Sequence, residues 1–496
     1  MNKFIFSRRR WTLIQLLLFL FSLSLFLFTI LIFFFYRPKN SQNEIYGKSY
    51  PRDLDAIRPK IMSHFSKGVY LDYTGAGQYS DQQISFFRQN LLKTAHLSRK
   101  EKEIKVKLIK EEFLSFLGAN PNDYLFISVA SATQALKLLG EHFPWKNDSI
   151  YSYTRYNHNS VLGIRRYAVD SGSSFQASDW PINSTNVLNM MDSTIEKSLL
   201  IFPLEDNFAG TKPEEKEFKT LLTEKPDNWF IVGDTAAFLP TNPLNLEELP
   251  FDAIIMSFYK IFGFPNSGAL VIRKELANIL ANHKNYLETQ LYDSDLNSFE
   301  SFDFSLSNPK FQNYDMEELQ KILEDDPLSY EMALGIYEGV KQLKALEMTK
   351  IQKHVYKLTH RLYRNLSLLQ HSTGQNAIEI YGNHHLGITR QGGIVAFNIK
   401  QPGGDYIGYA IVVKEASQAG FNLRGGCHCN PGACFESVRI NESKVKAYFA
   451  KKTTCGDTND IVDGTPLGAV RASLGWASTI KDVDSLVEWI NDNYVF

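Results

Sequence analysis

The sequence predicts an α/β protein: a large unit on a mostly parallel sheet, then a smaller α+β unit, behind one N-terminal membrane-spanning helix. Three observations predict it. From Val69 to about Gln370, short apolar runs alternate with segments of helical periodicity, the pattern of a parallel sheet covered by helices on both faces. Those runs end in polar residues, so a ligand site is expected at the carboxyl ends of the strands. Ahead of them, residues 12–36 form an almost unbroken apolar run of 25 residues, more than the ~20 that a bilayer span needs.

The apolar core of a signal peptide is shorter, about 7–15 residues, and no small-residue cleavage site precedes Tyr36-Arg37-Pro38. An uncleaved single-pass membrane anchor is therefore expected, with residues 1–11 as its tail. Lys3, Arg8, Arg9 and Arg10 precede the span, while Arg37, Lys39 and Lys48 follow it. The balance leans to a cytoplasmic N-terminus, which would place the globular part across the membrane, but it does not fix the side. Residues 37–68, polar and carrying Pro38, Pro51 and Pro59, read as a linker. A net charge of -1 over 496 residues gives no electrostatic case for nucleic-acid binding.

The large unit spans 69–370. Val69-Tyr70-Leu71-Asp72 predicts a short strand entering the turn Thr74-Gly75-Ala76-Gly77, and residues 81–118 predict one or two amphipathic helices. Tyr124-Leu125-Phe126-Ile127 predicts a strand, followed by the small residues Ser128 to Thr133 and a helix. Such a junction leaves backbone N–H groups free for a phosphate; Ser131 or Thr133 suits a helix cap equally well. His158, Asn207 and Asp234 follow or end further apolar runs. Taken singly, a histidine such as His158 suits a structural role and Asp234 a capping one. Residues 286–326 carry 11 Asp/Glu against 2 Lys and predict an exposed acidic insertion. Helical periodicity from Tyr330 to about Gln370 is long enough to bridge two lobes.

One stretch organises the rest: Ser257-Phe258-Tyr259-Lys260-Ile261-Phe262-Gly263-Phe264-Pro265. It lies between the apolar runs Phe251–Met256 and Ala269–Ile272, and reads as strand, loop, strand with Lys260 at the mouth of the loop. Tyr259, Phe262 and Phe264 would disfavour the charged amine, and a neutral lysine amine attacks carbonyls. Aldehyde cofactors such as pyridoxal phosphate (PLP) need such a lysine.

The smaller unit, 371–496, begins with the strand Gly393–Asn398 and ends with an amphipathic helix, Val483 to Ile490. It carries Arg424-Gly425-Gly426-Cys427-His428-Cys429-Asn430-Pro431-Gly432-Ala433-Cys434, a Gly/Pro loop holding three of the four cysteines. Arg424 and His428 favour a reactive thiolate there. A zinc site from Cys427, Cys429, Cys434 and His428 competes, although the usual C-x₂-C spacing is absent. A disulfide among these cysteines, or with Cys455, is the third possibility.

Taken together, these segments resemble the class V aminotransferase and cysteine desulfurase family, PLP fold type I, and most closely the NifS-like domain of eukaryotic molybdenum cofactor sulfurases. The matching stretches include Tyr70-Leu71-Asp72, Ala132–Lys137, Asn157–Arg165, Asp234–Phe238, Ser257–Pro265, Arg424–Cys434 and Val470–Gly475. The resemblance implies that Lys260 binds PLP covalently, Asp234 pairs with the pyridinium nitrogen, His158 stacks on the ring and Asn207 lies near the ring hydroxyl. Ala132, Thr133 and Ser257 would hold the phosphate. Arg471, with Arg424 nearby, would bind the substrate carboxylate, and Cys429 would accept sulfur from L-cysteine as a persulfide, releasing L-alanine. Cys427 and Cys434 would be auxiliary, and a mobile loop would let Cys429 carry sulfur onward. Another class V lyase or transferase, or a non-catalytic anchored binding protein of the same fold, are the alternatives.

The chain also departs from the family pattern. Ser131 stands where relatives usually have Gly, and Tyr259 where bacterial desulfurases have His. The family's Phe-Glu-Asp-Gly-Thr appears as Leu323-Glu324-Asp325-Asp326-Pro327, without the Gly-Thr that would hold the neighbouring protomer's phosphate in the usual homodimer. Nothing matches the target-binding C-terminal domain of full-length sulfurases. Cysteine desulfuration is therefore implied more directly than transfer to molybdenum cofactor, and the sulfur acceptor is left open.

Overall fold

The computed structural model describes residues 50, 52, 54–66, 68–191, 196–292, 311–441, 443–446 and 460–496, without the side chains of 66 and 285–292. The apolar run 12–36 and residues 293–310 of the acidic insertion lie outside these residues. Among the described residues no helix is long and apolar enough to cross a membrane.

The chain enters through β1 (Val69–Tyr70) and then builds its large sheet from seven strands. These are β2 (Tyr124–Val129), β3 (Ile150–Thr154), β4 (Ser174–Ser178), β5 (Ser198–Pro203), β6 (Trp229–Asp234), β7 (Ala253–Ser257) and β8 (Gly268–Arg273). Their order is β2-β8-β7-β6-β5-β3-β4. The run from β7 through β6, β5 and β3 to β4 is parallel, and β8 runs antiparallel to both its neighbours, β7 and β2. The sheet is thus mostly parallel, as expected. Strands β5, β6 and β7 are buried at every position, as strands covered on both faces must be.

The smaller sheet is antiparallel. It contains β9 (Ile378–Tyr381), β10 (Ile394–Lys400), β11 (Tyr406–Ile407), β13 (Arg424–Gly426) and β16 (Ala469–Ser473). Between these, β12 (Phe421–Asn422) pairs in parallel with β1, and β14 (Ile461–Val462) with β15 (Thr465–Pro466) forms a hairpin. The N-terminal strand therefore pairs within the smaller unit, with a strand 352 residues away in sequence (421 minus 69).

Three expectations are corrected. The segment 37–68 is not all linker: Leu54–Ile61 is a helix whose Arg58 donates to Asp482 Oδ1 at 2.8 Å, docking it on the C-terminal helix Ile480–Tyr494. The acidic insertion is not simply exposed. Lys274–Tyr292 and Met316–Leu323 are helices, the second opened by an Asp315/Glu318 capping box, and Leu319 and Leu323 are wholly buried in the core beside β2. Glu324 then accepts from the Ser128 N–H (2.7 Å) and from Lys110 (2.7 Å), occupying the open edge of strand β2. Finally, Lys260 is not in a loop. Phe258–Phe262 form one helical turn, because Phe258, Ile261 and Phe262 share a buried face and Gly263 (φ 78°) supplies the left-handed cap.

The helical segment 330–370 is two helices, Tyr330–Leu346 and Met348–Ser367, broken at Glu347 (φ 63°). The second shelters His384, whose ring stacks on Tyr363 at 4.6 Å and whose Nδ1 is buried without a partner among the described residues. Burial lowers the His384 pKa to about 4. Unfolded histidine takes up its proton through pH 6.5, so between there and pH 4 only the unfolded chain is protonated at this position. The fold is expected to lose about 3 kcal/mol at this residue as pH falls through that window. Thermal melts of the parent and His384→Gln from pH 7 to 4 check this: the variant should lose less.

Candidate active site

The carboxyl ends of β5, β6 and β7 and the start of helix Ala132–His142 line a cleft open to solvent on one side. Its lining includes Ser131, Ala132, Thr133, His158, Asn207, Asp234, Ser257 and Lys260. All eight are residues that sequence had singled out, and they arrive from five separate stretches of chain.

Each is set by local structure. Asp234 ends β6, and its Oδ1 accepts the Ala236 N–H at 2.9 Å. Lys260 follows β7 on the one-turn helix, and burial pushes its pKa below the ordinary lysine value, with Asp234 opposing and Arg471 and Arg424 reinforcing the shift. His158 caps a short helix: its Nδ1 accepts the Ser160 N–H at 3.1 Å, which places the proton of the neutral ring on Nε2. Burial also lowers the His158 pKa, against the pull of Asp234, so the ring is neutral near pH 7.

The turn at Ser131–Thr133 does both things open to it. Ser131 Oγ caps the helix by accepting the Gln134 N–H (3.2 Å), while Ala132 N–H donates to Ser257 Oγ (3.2 Å) and Thr133 Oγ1 lies 2.8 Å from Ser160 Oγ. Close packing beneath depends on Gly268, where a Cβ would come within 2.4 Å of Met256 O and 3.1 Å of Ala132 N.

Burial and pairing also show residues that sequence reasoning missed. Glu205 lines the cleft, is 2% exposed and accepts from Asn242 Nδ2 at 3.0 Å; burial raises its pKa and Lys212 opposes the rise. Asp206 accepts from the N–H groups of Phe208, Ala209 and Thr211, fixing the turn that presents Asn207. Asp72 binds both Arg424 (2.7 Å) and Arg471 (2.9 Å). The only signal for Asp72 was its place at a strand end before a glycine turn.

The cysteine loop packs against the His158 segment. Asn207 Nδ2 donates to His428 O at 2.6 Å, and Asn159 N–H donates to Cys429 O at 2.7 Å. His428 (φ 54°) and Cys429 (φ 58°) both adopt left-handed backbone, a conformation these contacts hold in place. Cys427 and Cys434 form a disulfide, and Cys429 is free and exposed. Two of the four candidate zinc ligands are thereby used, and among the described residues no cluster suits a metal ion. Cys429 does not line the cleft; its thiol lies in the loop beside it. Gly432 allows the close approach, because a Cβ there would lie 2.0 Å from Arg155 O. Gly432→Ala must push the loop off the His158 segment, at about 1–3 kcal/mol. It should impair sulfur transfer while leaving the visible spectrum of bound cofactor intact, measured side by side on one preparation.

A mostly parallel sheet with a lysine, a carboxylate and a phosphate-ready helix start at its strand ends defines a PLP enzyme of fold type I. The chain belongs to the aminotransferase class-V family, whose model matches residues 70–486. It is 32% identical over 491 residues to the molybdenum cofactor sulfurase of Arabidopsis thaliana, covering 90% of this chain and 58% of that protein. The Drosophila melanogaster molybdenum cofactor sulfurase is 29% identical, with 93% and 61% covered. The chain thus spans about 60% of the length of these relatives. Its fold matches the apo cysteine desulfurase of Thermococcus onnurineus NA1 with a TM-score of 0.65 at 18% identity, over 89% of this chain and 98% of that one.

The residues fit PLP, the cofactor of this family. A half-buried lysine amine lies in the cleft with a carboxylate and a neutral imidazole. At the cradle, the Ala132 N–H donates to Ser257 Oγ, and Thr133, Ser160 and Ser257 line the cleft at the helix start.

Proposed function

We propose that this chain is a membrane-anchored, PLP-dependent cysteine desulfurase of the molybdenum cofactor sulfurase type. The observation that carries the proposal is a free, exposed thiol, Cys429, hydrogen-bonded through its backbone to the residue after His158, at the edge of a cleft holding Lys260 and Asp234.

PLP, bound to Lys260, supplies an electron sink for charge at the substrate α-carbon. The chain's residues do the rest. Arg471 orients the substrate carboxylate, and Asp234 keeps the cofactor nitrogen protonated. The Lys260 amine, whose pKa burial lowers, takes and returns the α-proton. Cys429, as thiolate, attacks the substrate sulfur: the carbon–sulfur bond of L-cysteine breaks, a sulfur–sulfur bond forms and the thiol proton ends on L-alanine. Atoms balance as L-cysteine plus thiol giving L-alanine plus persulfide.

The test uses the full chain in detergent with PLP. A visible absorbance band, L-alanine from L-cysteine and cyanide-releasable sulfur on Cys429 are expected. A colourless protein that stays inert with added PLP would refute the proposal. The likeness to molybdenum cofactor sulfurases supports that cofactor as the destination of the sulfur; transfer from persulfide-loaded chain to desulfo-cofactor would be read by mass. Residues 12–36 support the anchor, and the chain should stay in the membrane pellet after alkaline carbonate washing.

A further inference from the structure

We propose that Asp72 is a positioning and specificity residue that holds Arg424 and Arg471 together and leaves them one uncompensated positive charge, matched to a substrate bearing a single carboxylate. The inference rests on the site reading above in taking Arg471 as the carboxylate anchor.

Arg424 and Arg471 face each other directly in the antiparallel pairing of β13 and β16. Like charges in that position repel. Arg471 is 2% exposed, so water does little to screen the repulsion. Asp72 is delivered to the pair by a bridge to Ser473: the Ser473 N–H donates to Leu71 O at 2.7 Å, and the Thr74 N–H donates to Ser473 Oγ at 3.0 Å. Its Oδ2 accepts from Arg424 Nη2 (2.7 Å) and Nε (2.9 Å), and its Oδ1 from Arg471 Nη2 (2.9 Å). Two guanidiniums and one carboxylate sum to a net charge of one.

Arg471 is held from two sides. Its Nη1 donates to Asn207 O at 2.7 Å, and Asp72 takes Nη2, while Nε is buried with no partner among the described residues. A buried donor left unpaired on a cation is a strong attractor for an acceptor. The guanidinium thus keeps one buried donor without an acceptor, while Asn207, a residue of the cleft, holds it through its backbone carbonyl. Gly75 completes the arrangement, since a Cβ there would lie 2.4 Å from Asp72 Oδ2 and 2.6 Å from Arg424 Nη2.

The full chain in detergent, loaded with PLP, is titrated with L-alanine and with L-aspartate, following the visible absorbance. In Asp72→Asn the second cation is uncovered and Arg471 loses one of its two holds. Affinity for L-alanine is expected to fall about tenfold, and the ratio of L-aspartate to L-alanine affinity to rise about tenfold or more. The KM for L-cysteine should rise with L-alanine affinity loss while kcat stays within about threefold. Asp72→Glu should restore the parent ratio. Arg424→Gln, which leaves Asp72 to neutralise Arg471 completely, should move the ratio the other way.

An Asp72→Asn protein with the parent's spectrum and an unchanged ratio overturns the proposal, as does equal weakening of both ligands. If Asp72→Asn does not fold, an unchanged ratio in Arg424→Gln overturns it instead. A parent that binds both amino acids but makes no alanine from L-cysteine refutes the desulfurase proposal, and the ratio still decides Asp72. A parent that binds neither refutes both.

Discussion

Lys260→Ala is expected to lower alanine formation from L-cysteine by ~10²–10⁴-fold, the range for removing a positioned proton-transfer group. Two functions are expected to disappear together, because in the proposed mechanism one amine both holds the cofactor and moves the α-proton. The cleft should survive: Lys260 is half-buried on a short helix fixed by Phe258, Ile261 and Phe262, which pack beneath it. Far-UV circular dichroism and the melting temperature should change little. The visible band should shift or weaken, and dialysis should strip the cofactor faster. Activity of the parent should already be high at pH values where a solvated lysine is still charged, because burial lowers the pKa of Lys260.

Cys429→Ala is expected to separate cofactor from sulfur chemistry. The side chain is exposed and its role in packing is carried by the backbone carbonyl, which alanine retains. Absorbance and stability should match the parent, while persulfide on the protein disappears and alanine formation drops by at least ~10²-fold. Quantifying cyanide-releasable sulfur after one turnover reads this directly. Full alanine formation by the variant would show that another group takes the sulfur.

Much of the site could be read from the chain because its chemistry sits at strand ends. Apolar runs closing on Asp234, on Pro203 before Asn207, and on Ser257 before Lys260 mark the rim of a parallel sheet. A ligand in such a fold has little choice of location. The alternation of runs likewise exposed the sheet, though not that β8 runs backwards between β7 and β2. What stayed hidden depends on long-range partners or on burial. Asp72 acquires its meaning from Arg471, 399 residues away, and Glu205 from the shelter of Lys212 and Asn242. The helix Met316–Leu323 hid behind composition: its acidic residues dominated the segment, while Leu319 and Leu323, four apart, carried the packing signal. The three-cysteine loop was ambiguous for a physical reason, since spacing cannot tell a thiolate from a metal ligand or a disulfide. Only the proximity of Cys427 to Cys434 separates them.

That same loop sets the logistics of delivery. Strand β13 stops at Gly426, and Asn430 is pinned on the other side by its bond to Asn207 (3.1 Å), so Cys429 travels on a leash of three residues from one post and one from the other. The shorter tether governs, and one residue reaches about 3.8 Å. A sulfur carried on Cys429 would thus stay close to the cleft. On the proposed function, an acceptor would have to bring its reactive atom to the rim of the cleft, which would make the contour of that rim, more than any swing of the loop, the gatekeeper of who is served.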